Sequence, residues 1–312
     1  MIVRVPTVLS FCARHLKNIV KIALLTNLRA LSRLVMLPLF FSTLSWPTLA
    51  SGQGKDARAF VRGVVANELK ADANDHSKWM YLDDNKVPDS HTVKIIIQTA
   101  QGDLSKTLKK DGRALTADEQ KEDEKKIDDF VQDASVREKQ KRDHEQDSEK
   151  AAALTKLLPD AFLWTFAGRN GALTTLNFKP DPKFNPPTRE SRVFAAMEGT
   201  MVAHTKQKRI KQLKGKLTHD VDFGYGLLGK LEKGGTFEIE RQQIAPAIWD
   251  ITQTHIHIQG HALIFKSISE EQDEVTSEYH RTPASLTLAD AAKMLKDGSA
   301  ERTLQQGNAH QH

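Results

Sequence analysis

From Asp160 to Ile268 the chain alternates apolar and polar residues in short runs separated by Gly, Pro, Asn and Asp. That period of two commits this half of the molecule to strands with one buried and one wet face, joined by tight turns. Phe162, Trp164 and Phe166 fall on one face, Gly168-Arg-Asn-Gly171 turns the chain, and Leu173 to Phe178 returns. After a Pro-rich loop, Lys179 to Pro187, strands are expected at Arg192–Met197, Thr200–Thr205, Ile210–Phe223, Thr236–Gln243 and Ile248–Ile268. The last holds Gly260 and is expected to bend or bulge there. Ser269–Glu274 reads as an acidic turn and Val275–Tyr279 as a short closing strand.

The preceding stretch mixes periods. Residues 56–71 set Phe60, Val61, Val64, Val65 and Leu69 on one stripe at a spacing of 3.6, an amphipathic helix. Lys78–Leu82 and His91–Ala100 read as strands, separated by Asp83-Asp-Asn85 and Pro88 and followed by a turn at Gly102-Asp103. Lys110-Asp-Gly112 is a hairpin signal, and Thr116-Ala-Asp-Glu119 is a capping box that opens a helix. From there to Lys150 almost every residue is polar, with Ile127, Phe130 and Val131 as a short apolar stripe. Both signs of charge are interspersed, the pattern of a solvated helical arm. A second helix, about Glu149 to Leu158, brings Leu154, Leu157 and Leu158 back to the body, Leu286–Leu295 forms a final helix, and Gly298–His312 reads as a disordered tail. The fold class is therefore α+β, mainly antiparallel β: one β-rich domain over residues 51–297 with a charged helical insertion at 116–158.

The formal charge of +5 arises at one end. Residues 1–50 hold six Lys or Arg and no acid, which leaves 39 basic against 40 acidic residues in the remainder. Such a body has no net field for phosphate, so nucleic acid is not an expected partner. Leu34–Leu44 is an apolar core after Arg29 and Arg33, with Thr48-Leu-Ala50 supplying small residues for cleavage. Residues 1–50 thus read as a signal peptide cut near Ala50, with a periplasmic product; an Arg-rich transit peptide is the alternative. Neither apolar stretch is long enough to span a bilayer, so no transmembrane segment is expected in the mature chain. The single cysteine, Cys12, lies in the leader, which leaves the mature chain without disulfides or thiolate chemistry.

Motifs for chemistry are sparse. Gly224-Tyr-Gly-Leu-Leu-Gly229-Lys230 matches GxGxxG and most of a phosphate loop, yet Leu231 stands where Ser or Thr is needed and a strand, not a helix, follows. His255, His257 and His261 share one strand face, but His257 and His261 stand roughly 13 Å apart along it, so no ion spans all three. His255 and His257 remain a candidate metal pair if a neighbouring strand, with Asp220 and Asp222 as donors, completes them. The carboxylate pairs Asp220/Asp222 and Asp83/Asp84 read as solvated. There is no GxSxG, HExxH or usable cysteine nucleophile, so no catalytic residue and no cofactor is assigned. Trp79, Tyr81, Trp164, Phe166, Met197, Met201 and Trp249 are candidate lining residues of an apolar cavity, with the core as the alternative place for them.

Several stretches, LPDAFLW (158–164), NPPTRESRVFAAMEGTMV (185–202), DFGYGLLGKLEKGGTFEIERQQIAPAIW (222–249) and HIHIQGHALIFKSISEEQDE (255–274), resemble a group of secreted acidobacterial proteins. The order of parts resembles, more distantly, periplasmic lipoprotein and lipid carriers of the LolA and LppX type. That resemblance implies an open or half β-barrel with N-terminal, inserted and C-terminal helices, curled around an apolar cavity and lidded by helices, although the charged arm at 116–150 is longer and more polar than a carrier lid. The function it implies is a periplasmic binding or carrier protein for a lipid, acyl chain or lipoprotein. A structural or interaction protein of the cell envelope, with a protein partner, and a metal-assisted hydrolase at His255 and His257 are the alternatives.

Overall fold

A computed structural model describes residues 51–223, 229–262 and 266–308. Helix α1 (Ser51–Asn74) leads into four antiparallel strands, β1 (Trp79–Val87), β2 (Ser90–Thr99), β3 (Gly102–Lys110) and the short β4 (Arg113–Ala114). Helices α2 (Ala117–Gln132) and α3 (Ala134–Ala161) follow, then β5 (Phe162–Asn170) and β6 (Leu173–Pro180). A 3-10 turn, Glu190–Ala196, precedes β7 (Met197–His204) and β8 (Arg209–Leu217), then β9 (Val221–Phe223), β10 (Gly229–Leu231) and β11 (Thr236–Ala245). The chain closes with β12 (Ile248–Ala262), β13 (Lys266–Arg281), α4 (Leu288–Lys296) and α5 (Ser299–Asn308).

The 13 strands among the described residues join one antiparallel sheet in the order β4-β3-β2-β1-β13-β12-β11-β8-β7-β6-β5, with β10 paired to β12 and β9 to β10. The sheet is open, not closed into a barrel. Its two edges are linked by α3. Gln140 near the start of that helix accepts from the Asp103 N–H of β3 at 2.9 Å and donates to the Asp103 carbonyl at 3.0 Å, while its last turn runs directly into β5. At 1.5 Å per residue the stretch from Gln140 to β5 covers roughly 33 Å, which sets the span between the edges.

Two apolar cores lie on opposite faces of this sheet. On one face, α1, α3 and the 3-10 turn cover β5 to β12, packing Val61, Val64, Leu154, Leu158, Trp164, Phe178, Met201 and Ile239 together. On the other, α2, α4 and α5 cover β1 to β3, burying Met80, Ile95, Ile97, Leu104, Ile127, Phe130, Leu295 and Leu304. Between them the stretch Glu271–Glu274 of β13 is polar on both faces, so each core stops where the other begins.

Several expectations change. Arg192–Met197 is not a strand: a 3-10 turn buries Ser191, Val193, Phe194 and Ala196 at helical spacing. Residues 269–274 are not a turn but the middle of β13, which pairs with both β12 and β1. The strand expected over Ile248–Ile268 ends at Ala262, and Lys266 begins the antiparallel return. Gly260 keeps regular register with β13; its Cβ would lie 2.2 Å from the Lys230 carbonyl oxygen of β10, so a close backbone approach explains the glycine. Residues 299–308 are helical instead of disordered, held by buried Ala300 and Leu304, and residues 309–312 lie outside the described residues. The helical insertion supplies core side chains to both faces, Ile127 and Phe130 to one and Ala151, Leu154 and Leu158 to the other. The leader, residues 1–50, also lies outside the described residues.

Candidate functional site

Beyond the reach of α2, α4 and α5, no helix among the described residues packs on their face of the sheet from β12 to β5. Cross-strand register lines up two polar rows there. One runs Thr165, Asn177, Thr200, Lys214, Glu238, His255, Asp273 across seven strands. The other runs Glu198, Lys216, Thr236, His257, Glu271. Complementary polar groups face one another along them: Lys214 meets Glu238 at 2.5 Å, Lys216 meets Glu198 at 3.2 Å, and the imidazoles of His255 and His257 meet Asp273 at 2.8 Å and Glu271 at 3.2 Å. Directly opposed pairs of this kind are the natural stabilising unit of a wet sheet face.

The sheet twists into a trough between these rows, about 710 Å³ in volume and lined by Leu163, Phe178, Lys179, Lys214, Phe237 and His255, among others. That is the size of a ligand site. Its surface is mostly carbon, whereas its charged side chains are Lys179, Lys214, Lys216, Glu198 and Glu238, with the imidazole of His255 beside them. Gly199 and Gly215 allow close approach along its floor. A Cβ on Gly199 would stand 1.9 Å from the Lys214 carbonyl oxygen, and one on Gly215 would stand 2.3 Å from the Phe237 ring.

The three strand histidines do share this face, but each is matched with its own carboxylate, His261 with Glu232 at 3.5 Å. Asp220 is engaged elsewhere, by Lys230 at 2.6 Å and the Lys233 N–H at 2.7 Å, and Asp222 pairs in register with Lys230 on β10. Neither stands beside His255 or His257, whose neighbours on β11 are Glu238 and Thr236. Among the described residues no three His, Cys, Asp or Glu side chains gather as metal ligands. Residues 224–228 of the glycine motif lie outside the described residues; Gly229–Leu231 form β10.

The aromatic and methionine candidates are dispersed. Trp164, Met197 and Met201 are packed in the core under α1 and α3, with the Trp164 indole donating to the Leu158 carbonyl at 3.0 Å. Trp249 is buried and donates to Gln207 at 3.0 Å. Trp79 and Tyr81 both pack on Tyr279, the first edge-on and the second stacked. Phe166 is 42% exposed at the sheet edge, edge-on to Phe60. The structure does not bring the seven into one cavity.

Sequence reasoning also missed a charged cluster beneath α1. The apolar stripe of that helix continues into Glu68 and Asp72, both buried. Glu68 accepts from Arg209 at 3.0 Å, from Arg241 at 2.6 Å and from the Ile210 N–H at 2.5 Å. Arg241 also donates to the Trp249 carbonyl at 3.1 Å, and Arg209 to that of Ala247 at 3.2 Å. Burial, opposed by Arg241, raises the Asp72 carboxyl from its ordinary value to about 7, and its Oδ2 has no partner. The signal was an acid at each of the last two positions of a core-facing stripe. Compared with known proteins, the chain matches no family model, no curated protein and no solved structure.

Among the described residues no helix is long and apolar enough to cross a membrane.

Proposed function

We propose that this chain is an exported binding protein, without a catalytic role, that carries a lipid or acyl chain in the trough on the bare sheet face. The observation that supports this reading is the trough itself, a space of about 710 Å³ whose surface is mostly carbon and whose rim carries Lys179, Lys214 and Lys216. An acyl chain gains about 0.8 kcal/mol per buried CH₂ without directional contacts, and lysines at the rim suit an anionic head group. The basic, acid-free leader ending near Ala50 supports export to the periplasm.

Native mass spectrometry of the protein recovered from the periplasm of an expressing bacterium, followed by organic extraction, tests the reading. A mature chain that begins at Ser51 and releases a lipid or fatty acid is expected. Replacing Lys179, Lys214 and Lys216 together with Glu should reduce the bound lipid at least tenfold; wild-type protein that is always empty, or a triple variant that binds as well as wild type, overturns it.

A second reading, an interaction protein of the cell envelope, draws on a different observation. Lys214 and Lys216 are already neutralised by Glu238 and Glu198, and the apolar side chains expected to line a cavity are mostly packed beneath helices. A strip of alternating charge suits a protein partner. Empty protein that cross-links to another envelope protein through Lys179 or Lys216 would favour it.

A further inference from the structure

On the face opposite the trough, where the core under α1 gives out, β1, β13 and β12 bring together a set of oxygen atoms with too few donors. Register places Asn85 of β1 opposite Glu274 of β13, and Glu274 opposite Thr254 of β12, so the three side chains share a face in adjacent columns. Asp83 stands one row along from Asn85 on that face, and its carboxyl is hydrogen-bonded to that of Glu274. Thr254 is fully buried and its Oγ1 has no partner; the Oγ1 of Thr252, which is 7% exposed and sits at the β-bulge just before Gln253, has none either. Asp83 Oδ1 and Asn85 Oδ1 are likewise buried without a partner.

Four buried unsatisfied oxygens around a pair of acids is an expensive arrangement, because each desolvated acceptor without a donor costs about 1–3 kcal/mol. Hydrogen bonding among the members does not remove the cost, since Asn85 and the two threonines point no hydrogen at an acceptor that the structure shows. A hard cation removes it in one step. It takes six to eight oxygens from carboxylates, amide carbonyls, hydroxyls and water, and it replaces the proton that two contacting carboxyls must otherwise share.

We propose that Asp83, Asn85, Glu274 and Thr254, with Thr252 at the margin, form a calcium-binding site between β1, β13 and β12. The ligand set holds two carboxylates with neutral oxygens completing it, which suits Ca²⁺ in its flexible coordination better than Mg²⁺ in its strict octahedron. Gln272 supports Glu274 by donating to it at 3.3 Å. Lys94, opposite Asp83 on β2, is the positive group set against the site; it is partly exposed, so its ammonium has solvent to turn to. Thr276, opposite Asp83 on the other side, is occupied with the Ile251 carbonyl and Tyr279 and is not a ligand. Sequence reading took Asp83 and Asp84 together as solvated; the pleat separates them, sending Asp84 to His91 at 2.6 Å and Asp83 to this cluster. The site does not depend on the trough, which lies on the other face.

Tyr81, two residues from Asp83 on the same face, stacks on Tyr279 at 5.2 Å, with Trp79 beyond it at 6.2 Å. These rings are built-in antennae for Tb³⁺, which takes calcium sites. Titration of the full-length protein with Tb³⁺, excited through the aromatic rings, should give saturable luminescence that Ca²⁺ displaces at concentrations at least tenfold lower than Mg²⁺. Asp83→Asn should weaken Tb³⁺ binding at least tenfold, and the near-isosteric Thr254→Val severalfold, with circular dichroism reporting that each remains folded. If Asp83→Asn fails to fold, Thr254→Val decides. Absence of luminescence at millimolar Tb³⁺, or binding unchanged in folded Thr254→Val, overturns the proposal.

Discussion

Glu68 occupies the most demanding position in the molecule, a carboxylate 2% exposed between two guanidiniums that are themselves buried. Removing one partner from such a group leaves uncompensated charge, so Glu68→Ala should cost about 3–5 kcal/mol in denaturant unfolding, far more than an exposed ion pair. Asp72 adds a pH dependence with an unusual sign. Most carboxylates of this fold that shift are pushed down; Glu119 is held low by Arg113 and the Thr116 N–H, and Asp181 by the Lys183 N–H and Arg58. Asp72 is pushed up to about 7 by burial. Between its unfolded value near 3.8 and about 7, the folded chain holds a proton that the unfolded chain has released. Stability from this group is therefore fully present below the unfolded value and declines as pH rises, by about 4 kcal/mol in all. Subtracting the stability–pH curve of Asp72→Asn from that of the wild type isolates the effect. The wild-type curve should fall relative to the variant from pH 4 to 7 and run parallel above 8; parallel curves throughout would show that Asp72 is not buried as a proton carrier.

Elements whose signals are local could be read from the chain. The capping box at Thr116 forms as its spacing dictates, with the Thr116 hydroxyl accepting from the Glu119 N–H and Glu119 from that of Thr116. Asp111 and Gly112, both at positive φ, make the β3–β4 hairpin that Asp-Gly announces. What escaped reading is structure defined by tertiary neighbours. Charged residues on both faces made β13 look like a turn, because its strand identity comes from the ladders of β1 and β12 and not from any apolar alternation of its own. The trough escaped for a related reason: Lys179, Glu198, Lys214 and Glu238 are ordinary wet-face residues until register aligns them. Sequence did not show that the aromatic candidates are dispersed over four regions, nor that Phe166 among them is exposed. Gly199 shows how an element's shape hangs on one backbone atom. With a Cβ placed 1.9 Å from the Lys214 carbonyl, the β7–β8 pair must flatten, so Gly199→Ala should lower stability by about 3 kcal/mol and open the trough. Thermal unfolding reads the first effect, and loss of bound lipid from still-folded protein reads the second.

At the scale of the whole molecule, one continuous sheet carries two separate cores on opposite faces, joined through a strand whose middle, Glu271–Glu274, is apolar on neither. Backbone pairing crosses β13 at Asp273, Glu274 and Val275, the residues in register with both β12 and β1, yet the hydrophobic term that makes unfolding cooperative does not cross, since Gln272, Glu274 and Thr276 lie on one side and Glu271 and Asp273 on the other. The insertion α2–α3 is the other tie, with Phe130 in one core and Leu154 in the next. Cooperative units follow contiguous apolar packing, so the β1–β3 half with α2, α4 and α5 should open independently of the half containing β5–β8 with α1. Ile97, fully buried in the first core, provides the lever: Ile97→Ala removes about 2–5 kcal/mol from its own core. Native-state hydrogen exchange should then show lost protection in β1 to β3, α4 and α5 while β6, β7 and β8 exchange as in the wild type. If protection falls equally in both halves, the ladder through β13 and the helical tie transmit the loss, and the sheet unfolds as one body in spite of its divided cores.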